Sequence, residues 1–402
     1  DAGKAKIVGM LAPLESLAET GAKLKDKYTG FNGMPVEWKY GAGDNVYRYS
    51  DLLKKLEGEK DAAEDINIDI ATVKDVNGAL SVSSYEGKDA ILSSVAGEYI
   101  EFEVTVGENA FYGLELEYYL EANSSEKAKR ALYVDNEYPF EEAGDIVFNR
   151  YFCDEGEPIL NSIGNETRPK QITIDGWRTA GLNDTSGIYS EEFKVYLTAG
   201  THTIRLVTLK TDMYISSICL AAPETVKTYA EVAAEYASLG YKTVSAETIN
   251  FQAELTTIEK NDPTLRREND GDPLVVPRSD TVRKLNVMGG YRWRTGNQSI
   301  TWEFSVEEDG LYKIGLYVKQ QWNDGLPSYR QIEIDGEVPF EELLAYKFDY
   351  DTKWTLRTLS DDKGNPFEFY LTKGTHTITM TVKLGELGPI LTSIQDDSQI
   401  LS

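Results

Sequence analysis

The chain has 402 residues, of which 41% are hydrophobic and 11% aromatic, with 25 Tyr among them. That length exceeds one ordinary domain and leads us to expect two or three. Lys and Arg number 41 and Asp and Glu 67, a formal net charge of −26, which opposes binding to nucleic acid or to an anionic membrane. No run of about 18 apolar residues occurs, so no membrane-spanning helix is expected. The polar opening at Asp1 is read as that of a mature or trimmed chain. Two cysteines, Cys153 and Cys219, are too few for a disulfide framework or a four-cysteine zinc site and leave their own state open.

In chain order, residues 1–45 form a segment without a clear role, with a helix expected over Leu11–Lys27 and a flexible break at Gly41-Ala-Gly43. A helical lead-in follows over 46–65, centred on Asp51–Leu56. The first β-sandwich is expected over 66–222. Its strands read as alternations of apolar and polar residues, such as Ile100, Phe102, Val104 and Val106, then Leu114, Leu116, Tyr118 and Leu120. A helical linker is expected over 223–243: Thr228-Tyr-Ala-Glu231 is a capping box, Val232, Tyr236 and Leu239 form an apolar stripe, and Gly240 can stop the helix. The second sandwich, over 244–402, has Ile300, Trp302, Phe304 and Val306, then Tyr312, Ile314, Leu316 and Val318. Short strands at this spacing predict an all-β chain of two jelly-roll-like antiparallel sandwiches, each introduced by a short helix.

The two halves are copies of one unit. YLTAGTHTI at 196–204 and YLTKGTHTI at 370–378 agree at eight of nine positions with an offset of 174. PFEE recurs at 139–142 and 339–342, and Glu64-Asp-Ile-Asn-Ile-Asp-Ile70 pairs with Glu247-Thr-Ile-Asn-Phe-Gln-Ala253. Order is kept while the offset drifts, as duplication followed by loop insertion would leave it.

His202 and His376 occupy the same place in GTHT of each copy, which predicts a structural role at the start of a core strand. Cys153 and Cys219 have no counterparts in the second copy and read as packing residues. Phosphate-binding glycine motifs and the EF-hand pattern are absent. The run Asn261-Asp262 with Asn269-Asp-Gly-Asp272 is acidic enough to hold calcium or to be a solvated loop. Glu141-Glu142 and Glu341-Glu342, repeated after PF, are expected to be structural or to start helices.

Two loops at strand ends concentrate aromatic and polar residues. Gly289–Gly296 carries Tyr291, Arg292, Trp293 and Arg294, and Lys319–Arg330 carries Gln320, Trp322, Asn323, Asp324, Tyr329 and Arg330. Trp354 joins them, with Trp177 and Tyr189 as parallel candidates in the first copy. Sugar rings stack their apolar faces on Trp and Tyr, and their hydroxyls bond Arg, Asp, Asn and Gln. These residues therefore form the candidate ligand site, with the two lobes set to face each other across a groove. The competing expectation is that the aromatics cap the core or the interface between copies. Trp38 and Trp302 are read as core residues.

The segments VDNEYPFEEAGDIVFNRYF, LNVMGGYRWRTGNQSITWEFSVEEDGLYKIGL and FYLTKGTHTITMTVKLGELGPIL resemble the N-terminal accessory region of long extracellular solute-binding proteins of Gram-positive bacteria, those of sugar ABC transporters. There, two modules similar to carbohydrate-binding modules precede a transporter-type domain, which implies a further domain of a longer parent chain. Ile249-Asn-Phe-Gln-Ala-Glu254 is similar to the first strand of calcium-containing jelly-roll modules and implies a structural calcium near Glu254. No cofactor is otherwise required. A second, architectural resemblance is to the two-lobed starch-adherence domains of gut-bacterial amylosomes. The expected function is non-catalytic, extracellular or cell-surface binding of a polysaccharide or oligosaccharide, a starch-like α-glucan first. The alternatives are a structural spacer or protein-interaction module and a glycoside hydrolase, which needs two suitably spaced carboxylates.

Overall fold

The computed structural model describes residues 47–94, 98–245 and 248–400, with side chains described through Ile394. The helix expected over Leu11–Lys27, the break at Gly41-Ala-Gly43 and Trp38 lie outside the described residues.

Helix α1 (Tyr49–Lys55) opens the first copy. Strands β1 (Ile66–Ile68), β2 (Lys88–Ser93), β3 (Tyr99–Val106), β4 (Ala110–Tyr119) and β5 (Ala128–Val134) follow, then β6 (Tyr151–Asp154), β7 (Gln171–Ile174), β8 (Trp177–Ala180), β9 (Lys194–Leu197), β10 (Gly200–Lys210) and β11 (Met213–Ala221). One sheet runs β8-β4-β11-β2, with β1 also on β11 and β9 on β4. The facing sheet centres on β3-β10-β5. All pairings are antiparallel. The alternation read from the sequence is the cause: Ile100, Phe102, Val104 and Val106 face inward and are 2–4% exposed, whereas the residues between them face out. Burying each such side chain contributes about 1.5–3 kcal/mol.

Helix α2 (Tyr229–Leu239) links the copies. Thr228 accepts from the Glu231 N–H while the Glu231 carboxylate accepts from the Thr228 N–H, and Gly240 ends the helix with φ +73°. The second copy contributes β12 (Thr257–Lys260), β13 (Ser299–Val306), β14 (Gly315–Gln320), β15 (Ser328–Ile334), β16 (Asp351–Thr358) and β17 (Gly374–Lys383), then helix α3 (Leu387–Ile400). β12-β13-β17-β15 form its main sheet, while β14 and β16 pair only with each other. A second core gathers Val306, Ile332, Phe340, Phe348, Phe367, Phe369 and Met380.

One feature departs from two separate sandwiches. β6 and β7, expected inside the first, extend the second sheet instead: Phe152 of β6 pairs with Lys260 of β12, giving the order β7-β6-β12-β13-β17-β15. A strand's partner is set by tertiary contact and leaves no trace in its own alternation.

Both histidines hold identical posts. His202 Nδ1 lies 2.7 Å from Asp135 Oδ2 and Nε2 2.7 Å from the Thr198 carbonyl. His376 repeats this with Asp335 at 2.6 Å and Thr372 at 2.7 Å. Each ring bridges the hairpin turn to its neighbouring strand, which accounts for their duplication.

Candidate functional site

The loop 289–296 is shaped by its glycines. Gly289 has φ +94°, and a Cβ there would lie 2.9 Å from the Trp293 ring. The turn sends Tyr291 outward, 49% exposed, and folds Trp293 back onto the second core. Tyr291 meets Trp322 edge-on at 5.0 Å between centroids, and the Arg294 guanidinium covers its ring at 4.0 Å. Trp322 is 62% exposed at the tip of a braced turn. There Gln320 Nε2 donates to the Leu326 carbonyl at 2.7 Å and Asn323 Nδ2 to that of Pro327 at 3.0 Å. The Gln320 Oε1 is buried without a partner.

A second patch lies on the outer face of β14 and β16. Tyr317 and Trp354 stack at 5.5 Å with 25° between planes, beside the exposed Leu356. Trp354 Nε1 donates to Asp270 Oδ2 at 3.0 Å, and Lys319 pairs with the same carboxylate while its Nζ lies 5.2 Å from the Trp354 centroid. Burial alone would raise the Asp270 pKa, but the hydrogen bonds from Lys319, the Asp272 N–H and Trp354 outweigh it and hold the carboxyl below its ordinary value. Both patches border one groove of about 2340 Å³, which Arg292, Arg294, Gln320 and Arg330 also line. Backbone position accounts for the pair: Leu316 and Val318 pack on the core, so Tyr317 between them must face out. That parity is readable in the sequence and marks Tyr317 as outward-facing; Lys319 and Asp270 join it only through the fold, because residue 270 lies far from β14 in the chain.

Several expected site residues are otherwise engaged. Trp293 is half-buried, donates Nε1 to the Gln298 carbonyl at 3.2 Å and packs on Trp302 at 5.9 Å, so it is no free platform. Tyr329 is 3% exposed and its hydroxyl donates to Glu386 at 2.9 Å; burial, then that carboxylate, pushes its pKa up to about 12. Arg330 lies 4.3 Å from the Trp293 centroid and donates to the carbonyls of Tyr329 and Trp293, while its Nε has no partner. Burial brings its pKa down to about 10. Asp324 is exposed and does not line the groove. Tyr189 donates to Glu142 at 2.9 Å and packs against Tyr49 and Phe193 in the first core. Trp177 donates to the Glu86 carbonyl at 3.1 Å and lies edge-on to Tyr119. Neither Tyr189 nor Trp177 reaches the groove. Trp302, read as core, packs on the second core and donates Nε1 to the Ala253 carbonyl at 3.0 Å, with one edge in the groove.

Glu254 is 2% exposed, and its Oε1 has no partner; burial raises its pKa. Calcium needs six to eight oxygens. Among the described residues no group of three or more His, Cys, Asp or Glu side chains converges to hold a metal. In the acidic loop, Asp262 accepts from Gln298 and the Thr264 N–H, and Asp272 from the Leu274 N–H. Cys153 and Cys219 are free and half-buried, and burial raises both thiols, which disfavours reactive thiolates.

The fold is all-β and built of antiparallel sandwich sheets. No family model and no curated protein matches the chain. Among solved structures it is similar to a family 35 carbohydrate binding module from Clostridium thermocellum, with 16% identity over 39% of this chain and 97% of that one, TM-score 0.25. It is also similar to the CBM36-1 domain of a multidomain xylanase from the hindgut metagenome of Trinervitermes trinervoides, with 10% identity over 40% and 99%, TM-score 0.24. A third is the GH26-CBM35 β-(1,4)-mannanase of Podospora anserina, with 14% identity over 45% and 35%, TM-score 0.24.

Proposed function

We propose that the chain is a non-catalytic carbohydrate-binding protein that holds a neutral polysaccharide or oligosaccharide outside the cell, a starch-like α-glucan first. The observation that carries the reading is the exposure of Tyr291 and Trp322, at 49% and 62%, on a groove rim. A spacer would bury its loop aromatics between the copies, and these are not buried there. Large aromatics left in water and held by braced turns are suited to stacking on a flat apolar ring face. Arg292 and Arg294 beside them supply donors for sugar hydroxyls.

The test is affinity electrophoresis of the full chain in gels containing starch, xylan, β-glucan, mannan or pectin. Retardation by one glycan is expected. Trp322→Ala and Tyr291→Ala should each weaken it roughly tenfold, about 1.4 kcal/mol. Trp322→Ala is preferred to a Trp293 variant because Trp293 also packs the core. No retardation by any glycan would favour a spacer, and release of reducing sugar would reveal a hydrolase.

A further inference from the structure

The two copies differ in the segment that follows the GTHTI strand. In the first, β11 is a central strand, with β4 on one edge and β1 and β2 on the other. Its Met213, Ile215, Ile218 and Leu220 are each 0% exposed. In the second copy the chain leaves β17 and becomes α3. β14, the counterpart of β4, is paired by β16 along one edge, and no described strand pairs the other. Ile249–Phe251, the counterpart of Ile66–Ile68 in β1, belongs to no strand. The groove lies between Ile249–Phe251 and the edge of β14 that no described strand pairs: Ile249 and Phe251 line it together with Leu316 and Tyr317, and Ile378 and Met380 of the facing sheet line it too.

The sequence supplies an occupant. Tyr214-Ile-Ser-Ser-Ile-Cys219 in β11 corresponds to Ile390-Leu-Thr-Ser-Ile-Gln395: two apolar residues, two hydroxyls, then isoleucine. Both segments follow the GTHTI strand, the second after a connection two residues longer. As a helix, the segment leaves Ile390, Leu391 and Ile394 exposed. Its β-branched residues favour a strand, and Pro389 sits where a strand tolerates proline, at its start.

We propose that Ile390–Gln395 is the central strand of the second sandwich and that α3 is its undocked form. The segment inserts between β14 and Ile249–Phe251, and Leu391 and Ile394 take the places of the buried Ile215 and Ile218. The first copy fixes the register. Ile215, Ser217 and Ile218 pair with Tyr118, Glu117 and Leu116, so Leu391, Ser393 and Ile394 come opposite Val318, Tyr317 and Leu316. This inference does not depend on what the aromatic patches bind.

Two measurements test it. In hydrogen exchange on the unaltered full chain, the amides of 390–395 and those along β14 should be protected together, as deeply as β11 and β4. In a Cys153→Ser, Cys219→Ser background, the pair Ser393→Cys and Tyr317→Cys should form an intramolecular disulfide under mild oxidation, with directly opposed residues at a bridgeable distance. The off-register pair Ser393→Cys and Lys319→Cys should form it at least several-fold more slowly. Rapid exchange at 390–395 with β14 unprotected would overturn the proposal. So would a disulfide found only between two chains, which would make the occupant a second copy. The exchange experiment decides the matter even if the cysteine variants do not fold.

Discussion

Lys260 Nζ of the second copy lies 2.6 Å from Asp154 Oδ1 of the first, with its side chain 1% exposed. The same ammonium donates to Gln171 Oε1 at 2.6 Å, and Arg267 Nε stands 3.0 Å from the other Asp154 oxygen, in ion-pair contact without a hydrogen-bonding angle. This cluster sits where β6 meets β12 and ties the two copies together. Removing one partner of a buried pair leaves the other charge uncompensated. Lys260→Ala should therefore cost about 3 kcal/mol in urea unfolding. Lys54→Ala, which breaks the exposed pair with Asp51, should cost less than about 0.5 kcal/mol.

Gly296 is a steric requirement of the same junction. A Cβ there would lie 1.8 Å from the Ser186 carbonyl oxygen, and backbone cannot swing aside. Gly296→Ala should destabilise the chain by roughly 1–3 kcal/mol and split the calorimetric transition as the copies undock. Gly107→Ala, with nothing within 4 Å of the new methyl, should change stability by less than about 0.5 kcal/mol.

Glu333 gives the junction a pH dependence. Burial raises its pKa to about 7; Lys383 opposes the shift and Glu192 adds to it. The folded state thus holds a proton that the unfolded chain releases near the ordinary carboxylate value. The stabilisation this group provides is complete below that value and is lost as pH rises through about 7. Thermal unfolding between pH 5 and 8 should show a falling Tm whose slope is smaller in Glu333→Gln.

The histidines act in the same direction. Burial alone would lower His202 and His376, but their hydrogen bonds to Asp135 or Asp335 and to a threonine carbonyl outweigh it and raise both pKa values. Stability from these contacts is present below the unfolded histidine pKa and lost as pH rises through the folded one. Asp335→Asn should lower Tm at pH 5.5 and have a smaller effect at pH 8.5. A catalytic histidine would not give this pattern twice over in two copies of one fold.

Much of the fold was legible because it rests on local rules. Period-two alternation placed β3, β4, β13 and β14, and the Thr228–Glu231 box with Gly240 placed α2. The duplicated GTHT frame foretold the equal posts of His202 and His376. The site was less legible. Residue type picked out Tyr291 and Trp322, which stand exposed on the groove rim, but type alone could not separate them from Trp293, Tyr329 and Tyr189, whose polar atoms are committed to Gln298, Glu386 and Glu142.

The sequence by itself determined that this is a duplicated all-β unit with structural histidines and an aromatic-rich second half. Each of those depends on spacing along the chain. Tertiary structure alone decided that β6 and β7 join the second sheet, that Tyr317 stacks beside Trp354, and that one edge of β14, which no described strand pairs, borders the groove. Strand partners and ring contacts join residues far apart in the chain, and the alternation that makes a strand is indifferent to which neighbour completes its hydrogen bonds.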